Sequence, residues 1–379
     1  MAGSHARRVR PAIRRVARLG LPTALLVLAR SRRVSSRWRA LAGGALMGLW
    51  VTVYGRYRRA GLERTAQERQ LLAGCDWTAF RRHYEERVPT VEQEFEIWGE
   101  FHRHRHEMRY DLVAEQVRRH LPSGGRVLDV GCGSILVADR ILDVPARYVG
   151  VEFGGPNLRY AATKMRSTNA ALSMDVVSGD AERLPFTDAV FDVVVMTEVI
   201  EHLLRPHRAV WEVARVLRPG GVFIMTTNNA SEVPLRSPLT HLLPWLEKAI
   251  GAYRPGRISL RPWVWPEAVS RDLLPEASPD VFLPHTHHIY AETRGMFAAA
   301  GLDTFHFSTF EFPPPQSATA QWLDRKGEGG QRVVDAIETV AKRMPLVNRL
   351  GCHLFMVARK TGAPVAAEPP PGIWPGPFE

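Results

Sequence analysis

The sequence predicts an α/β fold built on an open, mostly parallel sheet with helices on both faces. Three observations carry this reading. Residues 127–135 read VLDVGCGSI, an apolar run that meets a carboxylate and then two glycines spaced by one residue, as a buried strand ending in a tight turn does. Strand-like and helix-like periods alternate from residue 125 to residue 228. An acidic residue, Glu152, stands at the end of the next strand, 21 positions after Gly131, where a doubly wound sheet places a carboxylate against ribose hydroxyls.

Taken in order, residues 1–66 form a basic, apolar arm, with apolar stretches at 19–29 and 40–55 between arginine clusters. The second stretch holds 16 uncharged residues, about 24 Å as a helix against a hydrocarbon layer of roughly 30 Å. Arginines flank both stretches on both sides, which favours a helix lying in the headgroup region, or a shallow hairpin, over a single crossing. Trp38, Trp50 and Tyr54 sit near the ends, as interface aromatics do. A transit peptide or a disordered tail is the bland alternative.

Residues 67–121 change to mixed charge with helical spacing of Phe95, Trp98, Phe101, Met108, Leu112, Val113 and Val117, a helical lead-in. His102 and His106 there share one helix face at i and i+4, but a solvated basic face explains them better than a metal. The core spans 122–230, with strands at 126–130, 148–152, 174–178, 191–197 and 221–227 and the clearest helices at 157–166 and 208–217. Residues 231–288, rich in proline and tryptophan, read as a cap over the sheet's carboxyl edge. A helix at 291–300, a strand at 303–312, a helix near 332–342 and a strand at 353–358 complete the sheet within 289–360, ahead of a proline-rich tail at 361–379.

Charge and cysteine usage narrow the function. The net charge of +11 sits at one end, because residues 1–60 carry 14 arginines and no Asp or Glu. The remaining 36 basic residues face 39 acidic ones, so no nucleic-acid partner is expected and an anionic membrane surface is. Three cysteines without a CxxC suggest neither a disulfide framework nor a zinc site, and a cytoplasmic compartment follows. No resident metal is expected.

Downstream of the glycine turn come SGDAERLPF at 178–186, FDVVVMTEVIEHL at 191–203 and RVLRPGG at 215–221. This ordered set resembles the class I S-adenosylmethionine-dependent methyltransferases, and EVIEHL with RVLRPGG is most similar to the small-molecule and quinone-pathway branch. The resemblance covers residues 125–228 well and the remainder loosely. It implies a Rossmann-like sheet of seven strands, mostly parallel with an antiparallel final strand, and S-adenosyl-L-methionine as cofactor.

By the same resemblance, Asp129, Gly131 and Gly133 line the methionine part of the cofactor. Glu152 takes the ribose hydroxyls, and Phe153 packs near the adenine. Asp180 and Ala181 meet the adenine edge, and Thr197 and Glu198 border the sulfonium. Two departures stand out: Ile135 replaces the family's usual third glycine, and Phe153-Gly154-Gly155-Pro156 replaces a serine-containing helix start. Cys132, between the glycines, reads as a small buried residue rather than a nucleophile.

Methyl transfer from a sulfonium needs positioning more than covalent help, and a hydroxyl acceptor also needs a base. His202, His287 and His288 are the candidate catalytic residues, and His285, Trp263 and Trp265 the candidate acceptor contacts. Glu201 orients His202 or binds the acceptor, or it simply satisfies a helix N-terminus, where an acid is favoured by the dipole alone. The expected activity is methyl transfer to a small-molecule or lipid-linked acceptor, preferentially to oxygen, with the arm at the cytosolic face of a membrane. Two alternatives stay open: a nicotinamide-dependent oxidoreductase, against which Leu136 stands where G-x-G-x-x-G needs a small residue, and a non-catalytic cofactor-binding module.

Overall fold

The computed structural model describes residues 100–121, 123–167, 172–203, 205–230, 287–312, 323, 325–343, 347–349 and 351–361, with isolated positions at 36, 37, 40, 41, 43–45, 48 and 82. Most of the basic arm and lead-in, the cap and the proline-rich tail lie outside these residues.

The chain enters through helix α1 (Glu100–His120) and runs β1 (Arg126–Val130), α2 (Leu136–Arg140), β2 (Arg147–Glu152), α3 (Gly155–Ser167), β3 (Ser173–Ser178) and β4 (Phe191–Thr197). It continues through α4 (Pro206–Val216), β5 (Leu217–Asn228), α5 (Tyr290–Ala299), β6 (Leu302–Phe310), α6 (Glu328–Arg343) and β7 (His353–Lys360). The seven strands form one sheet in the order β3-β2-β1-β4-β5-β7-β6. Strands β1 to β5 pair in parallel, and β7 runs antiparallel to both β5 and β6. The expected sheet of seven strands with an antiparallel last strand is therefore what forms.

Both faces of this sheet are covered, which is why its central strands read as unbroken apolar runs. Leu128, Val130, Val194, Met196, Phe223 and Met225 face α4 and α5. Val127, Val193, Val195, Val222 and Ile224 face α1, α2 and α3. Helix α4 starts on Pro206, whose missing N–H costs nothing in the first turn, and buries Ala209, Val210, Val213 and Ala214 along one side. Burial of Val210 and Val213, both at 0% exposure, contributes roughly 1.5–3 kcal/mol each.

Element ends differ from expectation where tertiary pairing extends or stops a ladder. Strand β5 starts at Leu217 rather than residue 221 because Leu217 pairs opposite Phe191 before a register shift. Strand β6 stops at Phe310 rather than residue 312, since Glu311 takes φ +65 and leaves the ladder. Among the described residues no helix is long and apolar enough to cross a membrane.

The order of strands reverses its direction of growth between β1 and β4. Ligands of open α/β sheets bind at such a point, beyond the carboxyl ends of the strands. The ends of β3, β2, β1 and β4 lie side by side there.

Candidate functional site

The glycine turn leaves β1 with three left-handed residues, Gly131 at φ +70, Gly133 at φ +48 and Ile135 at φ +56. The N–H groups of Gly131 and Cys132 both donate to the Val151 carbonyl, at 2.8 and 3.0 Å, which ties the turn to β2. A Cβ on Gly131 would run into the Val199 side chain, so this position has to be glycine on steric as well as conformational grounds.

Glu152, at the end of β2, accepts hydrogen bonds from Gly133 N at 2.9 Å and Gly154 N at 2.6 Å. Its carboxylate thus bridges the glycine turn and the turn that opens α3. Burial raises its pKa, and the backbone donors hold it down. The neighbouring Phe153 is half-buried.

Asp129, on β1, is 2% exposed and accepts a 2.7 Å hydrogen bond from the Tyr148 hydroxyl. Burial pushes its pKa to about 7, against the hydrogen bond from Tyr148 and with a small further push from the Glu152 charge. No cationic side chain among the described residues pairs with Asp129 or Glu152. Cys132 is buried and its thiol is pushed well up by that burial, as a packing residue of the turn would be.

Beyond β3, Asp180 Oδ1 accepts from Glu182 N at 2.8 Å, and Ala181 packs in the core beside it. Thr197 is buried at the end of β4. Glu198 follows it in a left-handed conformation at φ +55. Its carboxylate turns toward α1 and β7, with Oε2 3.1 Å from His353 Nε2 and Oε1 3.6 Å from Arg109 Nε.

The histidines gather at the same edge. His202 lies in a 3₁₀ turn (Ile200–His202) directly after β4 and is half-buried. His287 and His288 are buried, and the His288 backbone extends the end of β5, donating to Asn228 O at 3.1 Å and accepting from Ala230 N at 2.8 Å. His285, Trp263 and Trp265 lie outside the described residues. Glu201 sits in the first turn of the 3₁₀ helix that holds His202, as an acid at a helix N-terminus does, and its oxygens also accept from Thr227 Oγ1 at 2.9 Å and Asn228 Nδ2 at 3.2 Å. Burial, and then the Glu198 charge, push its carboxyl well up.

A matching family profile fits this geometry: residues 128–225 match the methyltransferase domain. Over those residues the chain is a methyltransferase domain of the class I S-adenosylmethionine-dependent kind. It is 38% identical over 125 residues to a probable S-adenosylmethionine-dependent methyltransferase of Mycolicibacterium smegmatis, covering 33% of this chain and 44% of that one. It is 37% identical over 107 residues to a ubiquinone biosynthesis O-methyltransferase of Maricaulis maris, covering 28% and 41%. A phthiotriol/phenolphthiotriol dimycocerosates methyltransferase of Mycobacterium ulcerans is 34% identical over 155 residues, covering 40% and 54%. The chain thus spans about half the length of the curated relatives it matches.

The fold also contains a buried ionic cluster that the sequence reading did not find, and only Glu198 of it lies within residues 128–225. Arg109 of α1 and His353 of β7 face Glu198 and Glu311, with His353 Nδ1 3.1 Å from Glu311 Oε2 and Arg109 Nη2 3.6 Å from Glu311 Oε1. Burial alone would discharge His353, but the two flanking carboxylates hold its pKa well above the usual imidazole value. Burial would likewise raise Glu198, yet Arg109 and His353 keep it far below the usual carboxylate range. Two cations therefore balance two anions.

Glu311, Cys352 and His353 bring one ligand atom each within 4.8 Å of one another. Arg109, 3.2 Å from His353 Nε2, already supplies positive charge at that spot. Of the spaced pair His102 and His106, His106 Nδ1 lies 3.4 Å from Arg109 Nη1, at the margin of the same cluster. The available sequence signal was Arg109 itself, one and two helical turns before the core residues Val113 and Val117. His353, 244 positions away, carried none.

Proposed function

We propose that this chain transfers a methyl group from S-adenosyl-L-methionine to a hydroxyl of a small-molecule or lipid-linked acceptor. The observation that carries the reading is the convergence of Asp129, Glu152 and Asp180 with the glycine turn on neighbouring strand ends, and of His202, His287 and His288 on the next two. The residues fit the cofactor chemically. Two buried carboxylates without a cationic partner among the described residues suit a ligand that brings an ammonium group and hydroxyls, and a turn without side chains at two positions lets it approach the main chain.

When bound, S-adenosyl-L-methionine supplies a methyl group already activated on a sulfonium. Asp129, Gly131 and Gly133 hold its methionine part, Glu152 its ribose, and Phe153, Asp180 and Ala181 its adenine. Thr197 and the Glu198 backbone border the sulfonium. The chain's remaining task is to hold the acceptor oxygen in line with the methyl and to take its proton. His202, His287 and His288, which lie beyond the ends of β4 and β5, are the candidate bases, and imidazole is the side chain best matched to proton removal near neutral pH. His285, Trp263 and Trp265 contact the acceptor, and the arm holds the enzyme at the cytosolic face of an anionic membrane. Relatives named for ubiquinone biosynthesis and for dimycocerosates support an acceptor of this apolar kind.

The test is incubation of the full chain with methyl-labelled cofactor and fractionated lipid and metabolite extracts, followed by identification of the labelled product. Label on an oxygen of an apolar acceptor is expected. Label confined to carbon or nitrogen overturns the oxygen preference, and no transfer with any fraction overturns the enzymatic reading.

A further inference from the structure

Tyr148 places a hydroxyl where packing alone asks for none. It is 0% exposed within an otherwise apolar cluster between the sheet and helices α1 to α3. In the β1–β2 register it stands opposite Val127, while Gly150 stands opposite Asp129. The phenol therefore reaches Asp129 diagonally across the pair, a distance that an aromatic side chain spans, and donates to Oδ2 at 2.7 Å. A phenylalanine would fill the same volume without that bond.

We propose that Tyr148 is a positioning residue for the cofactor: its hydroxyl fixes the Asp129 carboxylate in one orientation, engages Oδ2, and leaves Oδ1 for the ammonium group of the methionine part. The proposal rests on the reading that Asp129 meets that group. Tyr148 stays a donor over the whole working range, because burial, and then the Asp129 charge, push its own ionisation well up.

Its second effect follows from charge. Asp129 must be ionised to pair with an ammonium, yet burial works against ionisation, and the Tyr148 hydrogen bond is the favourable contribution that opposes burial. The other titratable groups facing the pair are Glu152 on β2, Cys132 in the turn and Asp139 on α2. Asp139 is itself paired with Lys164 of α3 at 2.5 Å. None of these supplies a cation to Asp129, so the phenol sets the pH at which the site becomes receptive.

The experiment is calorimetric titration of the full chain with S-adenosylhomocysteine between about pH 6 and pH 8.5, for the parent and Tyr148→Phe. In the parent, affinity should fall as pH drops below about 7, where Asp129 takes up a proton. A hydrogen bond to a charged group is worth roughly a tenfold factor, so in Tyr148→Phe the fall should begin about one pH unit higher. The variant should then bind about fivefold more weakly than the parent at pH 7 and within about twofold at pH 8.5. Asp129→Asn, which cannot titrate, should flatten the profile.

An unchanged pH profile in Tyr148→Phe overturns the proposal, as does a weakening equal at every pH, which a purely structural role would give. A pH profile that persists in Asp129→Asn overturns it too. If the parent gives no heat at any pH, the cofactor reading of the site fails first and takes the proposal with it.

Discussion

Ile135 occupies the position where the family pattern has a third glycine, and replacing it tests whether burial or backbone strain governs the turn. The residue sits at φ 56, ψ 34 as the N-terminal flank of α2 and is 1% exposed. A left-handed conformation costs an L-residue about 1–2 kcal/mol, which Ile135→Gly would recover. Against this, emptying a buried isoleucine site costs about 2–5 kcal/mol, and glycine adds roughly 0.5–1 kcal/mol of unfolded-chain entropy. Burial wins, and Ile135→Gly should be less stable than the parent by about 2–3 kcal/mol. For a domain of this size that lowers Tm by about 5–10 °C.

Ile135→Ala loses nearly the same packing and keeps most of the strain. It should therefore fall below Ile135→Gly by about 1 kcal/mol, the reverse of the usual order of these two residues in a helix. Chemical denaturation of all three proteins, monitored by circular dichroism, decides the matter. A glycine variant as stable as the parent would refute the dominance of burial, and an alanine variant above the glycine one would refute the left-handed backbone.

Arg109→Met should destabilise the domain by about 3–5 kcal/mol, because it leaves Glu198 and Glu311 buried around one imidazolium; a loss below about 1 kcal/mol in urea titration would show that the cluster is solvated. His353 has a folded pKa above its unfolded one, so its contribution is complete below about pH 6.5 and is lost as pH rises through the folded value. The stability gap between the parent and His353→Gln should accordingly narrow as pH is raised, and a gap that widens on the alkaline side contradicts the assigned charge. Gly131→Ala forces a Cβ into Val199 at φ +70 and should weaken S-adenosylhomocysteine binding by more than tenfold in calorimetry. Binding within twofold of the parent would place the cofactor elsewhere.

Much of the nucleotide-side geometry was legible because its parts are close along the chain and their signals are steric. An apolar run that meets Asp129 and then two glycines has few ways to fold other than a strand and a tight turn, and β1 forms over the residues expected. Glu152 follows at the end of the next strand, and its hydrogen bonds to Gly133 and Gly154 join groups at most 19 positions apart. The third left-handed residue, Ile135, was visible as a departure from pattern, although not as a buried one.

The ionic cluster belongs to the other kind of information. Arg109, Glu198, Glu311 and His353 come from four distant segments, and each alone reads as an ordinary surface charge. Only the packing of α1 and β7 against the end of β4 removes them from water, and in that desolvated place each needs the others to stay charged. Tyr148 is similar on a smaller scale: its residue type suits any half-buried strand, and the register of β2 beside β1 turns its hydroxyl toward Asp129. Backbone sterics act between neighbours and so are written in the order of residues, whereas the energies of buried charges depend on which distant groups the fold brings within a few ångströms.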